Sequence, residues 1–252
     1  MSNWRRSKLG LSSRIIAHRG ASKDAPENTI ASVEEALKQK ADGVEVDIRL
    51  TSDNRVICHH DKNTKRTTGE DKLVAETTFK ELKTLDCGSW FGQPWLRQRI
   101  PELKEVFSCL KNQEIFIEVK TKEEIIPYLI KDMKNYSNEC ITVISFYPEV
   151  IRGIKEIRQD IECNWLIAFD YKDISEEDIL SRAKDIGADG IGAQNHQRLN
   201  ETLVNKFRDN NLSTHVWTVD DVKSANEYLK IGIDSITTNR PLYLRNKLEN
   251  LQ

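Results

Sequence analysis

The sequence predicts an α/β protein of the (β/α)8 TIM-barrel class, with a small insertion over the C-terminal face of the barrel. Short apolar, β-branched runs alternate with amphipathic stretches along most of the 252 residues, which is typical of parallel strands linked by crossover helices. Eight such units fit this length, although an open, doubly wound sheet is a competing architecture. We expect one domain that covers residues 1–252.

The apolar runs predict eight strands in chain order. They are Arg14 to His18, Gly43 to Arg49, Ile115 to Lys120, Thr142 to Ser145, Glu162 to Ala168, Gly190 to Ala193, Thr214 to Val219 and Ser235 to Thr238. The second run is expected to continue after a turn, at Val56 to Cys58. Between the strands, apolar residues three or four positions apart predict helices, the first of which has Ile30 and Val33 on its apolar face and Asn28 as its N-cap.

Residues 62–98 break this alternation. The glycine, proline and aromatic residues that mark the segment are Gly69, Gly88, Gly92, Pro94, Trp90, Phe91 and Trp95. Long connections with aromatic residues of their own are usually functional lids or small subdomains, so we expect a capping element over one end of the barrel. A satellite hydrophobic cluster that only covers the surface is the simpler alternative.

Charge and composition exclude several classes of partner. Thirty-eight Lys and Arg residues against 40 Asp and Glu residues give a formal net charge of −2, so no global positive field favours nucleic acid or an anionic membrane. No apolar stretch approaches the roughly 18 residues of a spanning helix, and the basic start at residues 1–14 has no apolar segment behind it. A cytoplasmic location is therefore expected. Composition does not decide the oligomeric state, and a homo-oligomer is compatible with it.

The second predicted strand carries two acidic residues where a core strand should be apolar. Because side chains alternate along a strand, its apolar residues share one face while Glu45 and Asp47 share the other. A parallel strand in an α/β protein is covered on both sides, so both carboxylates should point into the barrel. Burial of an unpaired carboxylate has an idealised cost on the order of 20 kcal/mol. The two side chains must therefore be protonated, paired or bound to a cation.

The run Ile115 to Lys120 has the same anomaly at its C-terminal end. Glu118 and Lys120 share a face there, and barrel active sites form at that end of the strands. The three carboxylates and one ammonium group leave two negative charges, which one divalent cation would neutralise. Since all-oxygen ligands favour Mg²⁺ or Ca²⁺ over zinc, Glu45, Asp47 and Glu118 are candidate ligands of such an ion. A metal-free salt-bridge network around Lys120 is the alternative.

Histidines follow two apolar runs at what should be the same rim. The first run ends in His18-Arg19-Gly20, where Arg19 offers a planar donor fork for phosphate oxygens and Gly20 lets the backbone approach a ligand closely. His59 and His60 follow the later run. A lone histidine at a strand end is more often structural. Two imidazoles beside a metal-bound phosphodiester, however, suit proton transfer near neutral pH.

The order of these elements resembles the glycerophosphodiester phosphodiesterase family, whose pattern reads HRG, PENT, ExD, HD followed by RTTG, ExK, a late WT and TNxP. The matching residues are His18-Arg19-Gly20, Pro26 to Thr29, Glu45 and Asp47, His60-Asp61, Arg66 to Gly69, Glu118 and Lys120, Trp217-Thr218, and Thr238-Asn239-Arg240-Pro241. The match runs from about residue 14 to 243. It departs at 100–103, where IPEL replaces the common IPTL. His59 also adds an imidazole beside the HD pair, and strand parity allows either His59 or His60 to be the second proton-transfer group.

The resemblance implies a phosphoric diester hydrolase with a TIM barrel that cleaves a glycerophosphodiester to an alcohol and sn-glycerol 3-phosphate. The residues that it carries over by position are His18 and His60 as the acid/base pair, Glu45, Asp47 and Glu118 as metal ligands, Arg19 and Lys120 as phosphate contacts, and Phe146 and Trp217 at the glycerol pocket. Packing inside the barrel is the alternative role for Trp217. Whether water or a glycerol hydroxyl attacks phosphorus is not decided by the sequence.

Two other functions stay open. A lysophospholipase D or phospholipase C-like barrel would act on lipid phosphodiesters and would carry an exposed apolar lip, for which Trp90, Phe91 and Trp95 are candidates. A non-catalytic sensor of phosphate ligands would keep the barrel but lose a histidine or a carboxylate from the pattern. The sequence retains all of them.

Overall fold

Strands and helices alternate through residues 13–171 and 174–251, the part of the chain that the computed structural model describes. The strands there are β1 (Arg14–Ala17), β2 (Gly43–Leu50), β3 (Val56–Cys58), β4 (Glu114–Val119), β5 (Ile141–Ser145), β6 (Glu162–Ile167), β7 (Gly190–Gln194), β8 (Ser213–Trp217) and β9 (Ser235–Thr238). The α-helices are α1 (Ile30–Lys38), α2 (Lys65–Thr68), α3 (Phe79–Leu82), α4 (Leu103–Leu110), α5 (Ile126–Met133), α6 (Pro148–Ile157), α7 (Glu176–Asp185), α8 (Glu201–Asp209), α9 (Val222–Ile231) and α10 (Pro241–Glu249). Short 3₁₀ helices lie at Val74–Glu76, Gln93–Trp95, Glu123–Ile125, Asn138–Cys140 and Phe169–Tyr171.

All strands except β3 pair in parallel and close into one barrel. The order around it is β1, β2, β4, β5, β6, β7, β8 and β9, and β9 pairs again with β1. Ile16 of β1 shows the closure, because it lies opposite Gly43 on one side and Thr237 on the other. The predicted (β/α)8 TIM barrel is therefore confirmed, and the open sheet is excluded.

Several strands end earlier than the sequence indicates. His18, Lys120 and Ala168 each lie one residue beyond their strand, and β8 stops at Trp217 rather than at Val219. All of these differences fall at the C-terminal ends of the strands, where the chain leaves the sheet to form the connecting loops. His18 and Lys120 therefore lie on loops that a rigid barrel supports.

β3 lies outside the closed barrel. It turns back from β2 and pairs with it antiparallel, with Ile48 opposite Cys58 and Leu50 opposite Val56. The turn predicted between the two segments is thereby confirmed. The backbone N–H of His59 donates to the carbonyl of Asp47 at 2.9 Å, so the residues after β3 return to the C-terminal end of β2.

Side chains of β2 and β4 alternate between two separate environments. Val44 and Val46 lie in the main apolar core that strands and helices share. Phe116, on the opposite face of β4 from that core, packs with Ile144 and Leu166 in a second cluster. The alternation predicted for these strands therefore holds, and the polar residues of the same parity as Phe116 belong to the barrel interior.

Residues 62–98 and their flanks contain an apolar cluster of their own. Its buried members are Ile57, Val74, Leu82, Leu85, Cys87 and Ile100. The rings of Trp90 and Phe91 meet edge to face at 5.5 Å, and those of Phe91 and Trp95 at 6.4 Å. The segment is therefore packed on an apolar cluster, which both the capping element and the satellite cluster predicted from the sequence would have. That it covers the mouth of the barrel stays a prediction.

Thr29, not Asn28, is the N-cap of α1, so that expectation was wrong. The hydroxyl of Thr29 accepts from the backbone N–H of Ser32 at 3.1 Å, and the Ser32 hydroxyl accepts from the Thr29 N–H at 3.2 Å. This reciprocal capping box leaves Asn28 outside the helix. Asn28 instead has a φ of 55° and directs its amide towards Asp47.

The sequence predicts no apolar segment behind the basic start of the chain and no helix that spans a membrane. Residues 1–12 lie outside the described residues, as do residues 172, 173 and 252. Among the helices within 13–171 and 174–251, none combines the length and the apolar character that crossing a membrane requires.

Glu162 in β6 and His215 in β8 form a pair inside the barrel that should make stability depend on pH. Their Oε1 and Nε2 atoms lie 3.7 Å apart. Burial opposes ionisation, but the nearby His215 imidazole and the charge of Arg14 lower the pKa of Glu162 to about 2. A carboxyl whose folded-state pKa lies below its ordinary 4.5 stabilises the fold above pH 4.5 and loses that contribution as the pH falls towards 2.

We expect Glu162→Gln to lower the free energy of unfolding at pH 7 by about 1 to 2 kcal/mol, a figure reduced because 33% of the side chain is exposed. Urea unfolding at pH 7 and at about pH 3.5 should show this difference shrinking in acid. Glu156→Gln on the exposed face of α6 removes the same charge and should change neither value. A difference that is equal at both pH values would contradict the assignment.

Candidate active site

The three predicted metal ligands meet where β2 and β4 lie side by side. The parallel register places Asp47 opposite Glu118, and Glu45 opposite Phe116. One carboxylate oxygen from each of Glu45, Asp47 and Glu118 lies within 4.8 Å of the other two, and all three residues are buried. We call these three residues the acidic cluster.

Two cations contact the acidic cluster. Lys120 Nζ lies 2.6 Å from Glu118 Oε1 and 3.3 Å from Asp47 Oδ1. Arg19 Nε lies 3.1 Å from Asp47 Oδ2. The charge argument from sequence counted Lys120 alone and was incomplete, because Arg19 precedes these residues in the chain and only the closed barrel places it against Asp47.

Three further charged residues extend this network. Glu27 accepts from Arg19 at 2.9 Å and from two nitrogens of Arg66 at 2.7 and 2.8 Å. Arg66 Nε also donates to Asp61 at 2.6 Å. With these groups included, five carboxylates face three cations, so two negative charges remain when the histidines are neutral. The excess of two negative charges predicted from the three carboxylates of the acidic cluster and Lys120 is therefore unchanged.

The acidic cluster is electrostatically unfavourable without a further cation. Burial and the neighbouring charges of Asp47 and Glu118 raise the pKa of Glu45 well above its usual range. Burial and Asp47 raise the pKa of Glu118 to about 7. Burial also opposes ionisation of Asp47, but Arg19 and Lys120 hold its pKa below its usual range. Arg19 and Lys120 therefore compensate Asp47 better than they compensate the two glutamates.

Each carboxylate of the acidic cluster has one buried oxygen without a hydrogen bond among the described residues. Those of Asp47 and Glu118 contact Lys120, so the oxygen of Glu45 alone has neither a hydrogen bond nor an ion pair. Glu45 Oε2 accepts from the backbone N–H of Arg19 at 2.8 Å, whereas the buried Glu45 Oε1 has no hydrogen bond to any described residue. A buried polar atom without a partner is costly unless something binds it. An all-oxygen set with excess negative charge and one such oxygen fits a hard divalent cation, which Glu45, Asp47 and Glu118 would hold.

His18 lies directly after β1 and contacts the acidic cluster. Its Nε2 lies 3.9 Å from Glu45 Oε2, and its Nδ1 lies 2.7 Å from the side-chain oxygen of Asn239. Burial, followed by the charge of Arg19, lowers the pKa of His18 to about 4. The imidazole is therefore neutral near pH 7, which is the state that a general base requires.

The structure separates the two adjacent histidines after β3. His60 has 31% of its side chain exposed, and its Nδ1 lies 2.7 Å from Asp61 Oδ1. Burial lowers the pKa of His60, against the opposing influence of Asp47. His59 is only 4% exposed, and its Nε2 lies 3.0 Å from the carbonyl of Asn63. This geometry supports His60 as the ring at the site and a packing role for His59.

Local backbone geometry places Arg19 beside the acidic cluster. Arg19 and Gly20 have φ angles of 56° and 79°, both in the left-handed region. A Cβ added to Gly20 would lie 2.4 Å from the Ser32 hydroxyl, so a larger residue would have to displace α1. The N–H of Asn28 donates to the carbonyl of Arg19 at 3.0 Å and closes the loop.

Asn28 is a site residue that the sequence analysis missed. Its Nδ2 donates to Asp47 Oδ2 at 2.8 Å, and its Oδ1 accepts from the Asp47 backbone N–H at 3.0 Å. These two bonds orient the Asp47 carboxylate. The PENT motif marked the position, but the sequence does not show which strand its amide would contact.

Phe146 and Trp217 form one wall beside the acidic cluster. Their ring centroids lie 5.4 Å apart in an edge-to-face arrangement, and Trp217 Nε1 donates to a carbonyl of β7 at 3.0 Å. Lys120 Nζ lies 5.8 Å from the centre of the Phe146 ring. Trp217 also lines a cavity of about 30 Å³ together with Glu45 and Glu118, so apolar and acidic groups share one space.

Comparison with known proteins decides the family. The model of the glycerophosphoryl diester phosphodiesterase family matches residues 18–243, which contain the acidic cluster, His18 and His60. The chain belongs to this family. It is therefore a phosphoric diester hydrolase with glycerophosphodiester phosphodiesterase function.

Individual relatives of this glycerophosphodiester phosphodiesterase agree with the assignment. The glycerophosphodiester phosphodiesterase of Caldanaerobacter subterraneus subsp. tengcongensis is 30% identical over 239 residues, or 92% of this chain and 96% of that protein. A phosphodiesterase structure from Oleispira antarctica, in complex with the product sn-glycerol-3-phosphate, gives a TM-score of 0.86 at 25% identity over 94% of this chain and 96% of that one. The Thermotoga maritima enzyme gives 0.78 at 25% identity over 93% and 98%. These relatives do not favour the lipid-phosphodiesterase alternative.

Proposed function

We propose that the enzyme hydrolyses glycerophosphodiesters to an alcohol and sn-glycerol 3-phosphate with one divalent cation, Mg²⁺ or Ca²⁺. The buried acidic cluster carries this proposal, because one oxygen of Glu45 has no partner among the described residues and the three carboxylates repel one another. The product bound to the Oleispira antarctica phosphodiesterase supports the same product here. When bound, the cation would neutralise the cluster and polarise a phosphate oxygen.

Arg19 and Lys120 are the groups that we assign to the substrate phosphate. Each already contacts the acidic cluster, and a guanidinium and an ammonium group together supply several donors for phosphate oxygens. Their contacts with Asp47 and Glu118 hold them in place before substrate binds. Such preorganised donors stabilise the charge that develops on the transferring phosphoryl group.

His18 and His60 are the groups that we assign to proton transfer. One imidazole removes the proton of the nucleophile, and the other protonates the departing alcohol oxygen. If water attacks, sn-glycerol 3-phosphate forms directly; if a glycerol hydroxyl attacks, a cyclic phosphate forms first and water then opens it. The neutral state of His18 near pH 7 and the contact between His60 and the Asp61 carboxylate support this pairing. Phe146 and Trp217 are assigned to the glycerol pocket, since their apolar rings form a wall beside the carboxylates.

The insertion at residues 62–98 is assigned as the cap over the C-terminal face. Arg66 of α2 supports this position, because it contacts both Glu27 and Asp61. Glu27 in turn accepts from Arg19, and Asp61 contacts His60. The first helix of the insertion is therefore tied to residues on either side of the proposed phosphate site.

Release of sn-glycerol 3-phosphate tests the proposal. The enzyme is stripped with EDTA and assayed with glycerophosphocholine, glycerophosphoethanolamine and a lysophosphatidylcholine, each with and without added Mg²⁺ or Ca²⁺. We expect release from the glycerophosphodiesters only when the cation is present. Equal activity in EDTA would refute the metal requirement. Choline and lysophosphatidic acid formed from the lysophospholipid, with no cleavage of either glycerophosphodiester, would refute the substrate class.

A further inference from the structure

The TNxP motif at the end of β9 forms hydrogen bonds that lead to His18. Asp220, which follows β8, accepts from the Asn239 backbone N–H at 2.8 Å, from Asn239 Nδ2 at 2.6 Å and from the Thr238 hydroxyl at 2.9 Å. The side-chain oxygen of Asn239 accepts from the Ser22 hydroxyl at 2.9 Å and lies 2.7 Å from His18 Nδ1. Asp220 is therefore connected to His18 through one intervening amide.

The chemistry of these groups fixes which atom donates and which accepts in the hydrogen bonds from Asp220 through Asn239 to His18. A carboxylate only accepts, so the NH₂ end of the Asn239 amide must face Asp220. The reverse orientation would place two oxygens 2.6 Å apart. The amide oxygen must then face His18, and an oxygen only accepts, so the proton of the neutral His18 ring must lie on Nδ1.

We propose that Asp220 and Asn239 are positioning residues that hold His18 as the Nδ1–H tautomer. The lone pair of the ring is then on Nε2, the nitrogen that lies 3.9 Å from Glu45 and faces the acidic cluster. The inference rests on the proposed function for its kinetic consequence, but the tautomer itself is a property of the fold. Fixing the tautomer and direction of a histidine is a recognised contribution of outer hydrogen bonds to catalysis.

Substitution of Asp220 by asparagine should exchange donor and acceptor in the hydrogen bonds between position 220, Asn239 and His18. The new amide at position 220 would keep its oxygen towards the Asn239 N–H and the Thr238 hydroxyl, and would present NH₂ to the Asn239 side chain. The Asn239 amide would then turn its oxygen towards position 220 and its NH₂ towards His18. His18 Nδ1 would have to accept, and its proton would move to Nε2, where it blocks the base.

Exchanging the two residue types between positions 220 and 239 should restore the original donors and acceptors of these hydrogen bonds. In Asp220→Asn/Asn239→Asp, the new amide at position 220 donates to the new carboxylate at position 239. The second oxygen of that carboxylate again accepts from His18 Nδ1. Asn239→Asp alone instead places two carboxylates against each other, so each single substitution should be worse than the pair.

Kinetics and ¹⁵N NMR test the proposal on the Mg²⁺-supplied enzyme. We expect Asp220→Asn to lower kcat by about 10²- to 10⁴-fold with KM within about threefold, and the double variant to return to within about tenfold of the unsubstituted enzyme. The histidine spectrum, with His18 assigned by the loss of its signals in His18→Gln, should show Nδ1–H in the unsubstituted and double variants and Nε2–H in Asp220→Asn. Asp221→Asn is the matched control, because Asp221 only caps α9 through the Ser224 N–H and asparagine caps equally well.

Different results separate the two proposals. An unchanged His18 tautomer in folded Asp220→Asn, or a double variant no more active than either single one, would overturn the positioning role. Failure of the unsubstituted enzyme to cleave any glycerophosphodiester would overturn the proposed function instead. The NMR comparison would still decide the tautomer in that case.

Discussion

Replacing Glu45 with glutamine should lower kcat/KM for a glycerophosphodiester by about 10³-fold or more, because the acidic cluster loses one of the three carboxylates that would hold the cation. The same change should stabilise the metal-free protein by about 1 to 3 kcal/mol at pH 7.5, since it removes a buried carboxylate. Burial, Asp47 and Glu118 raise the pKa of Glu45 above its ordinary 4.5, so the penalty exists at neutral pH. It disappears by about pH 3.5, where the carboxyl is protonated in both the folded and the unfolded state.

Kinetics with Mg²⁺ at about pH 7.5 measure the first effect, and urea unfolding in EDTA at about pH 7.5 and at about pH 3.5 measures the second. Glu34→Gln is the matched control, because Glu34 is exposed on α1 and lies outside the acidic cluster. Activity within tenfold of the unsubstituted enzyme would exclude Glu45 as a ligand. A loss of stability in EDTA at pH 7.5 would show that the cluster is compensated without a cation.

Replacing His60 with alanine should lower kcat by about 10²- to 10⁴-fold, because one of the two groups that transfer protons is lost. Its ring is partly exposed and makes one side-chain hydrogen bond, to Asp61, so the free energy of unfolding should change by less than about 1 kcal/mol. Steady-state kinetics and thermal unfolding of the same preparation measure both quantities.

His59→Ala provides the comparison within the same dipeptide. His59 is buried and contacts the Asn63 carbonyl, so its removal should cost about 1 to 3 kcal/mol of stability while kcat stays within a few-fold. Opposite results for the two variants, with His59 needed for turnover and His60 only for folding, would reassign the second proton-transfer group to His59.

Much of the site could be predicted from strand parity. Glu45 and Asp47 alternate with valines on β2, and Glu118 alternates with isoleucine and valine on β4, so their placement inside the barrel followed from the period of two. The position of Lys120 beside Glu118 followed from the same rule, although it lies one residue beyond the strand. Charges on these strands pointed to an ion because a buried site solvates charge poorly.

Other parts of the site could not be predicted in this way. Asn28 resembled a helix cap, since asparagine is a good cap, but Thr29 takes that role and leaves the amide of Asn28 to Asp47. His59 and His60 were equivalent in sequence and differ only in how the chain turns after β3. These choices depend on which neighbour each polar group finds when the chain closes.

The sequence by itself predicted the barrel and the direction of the acidic residues, because apolar periodicity and side-chain alternation are local properties of the chain. The order of its motifs indicated the family by resemblance. Only the tertiary structure decided that Arg19 pairs with Asp47, that His60 rather than His59 has the more exposed ring, and that Asn239 contacts His18. The last two residues are 221 positions apart in the chain. Hydrogen bonds act over about 3 Å, so partners that distant in sequence are set by the closure of β9 onto β1 and by nothing local.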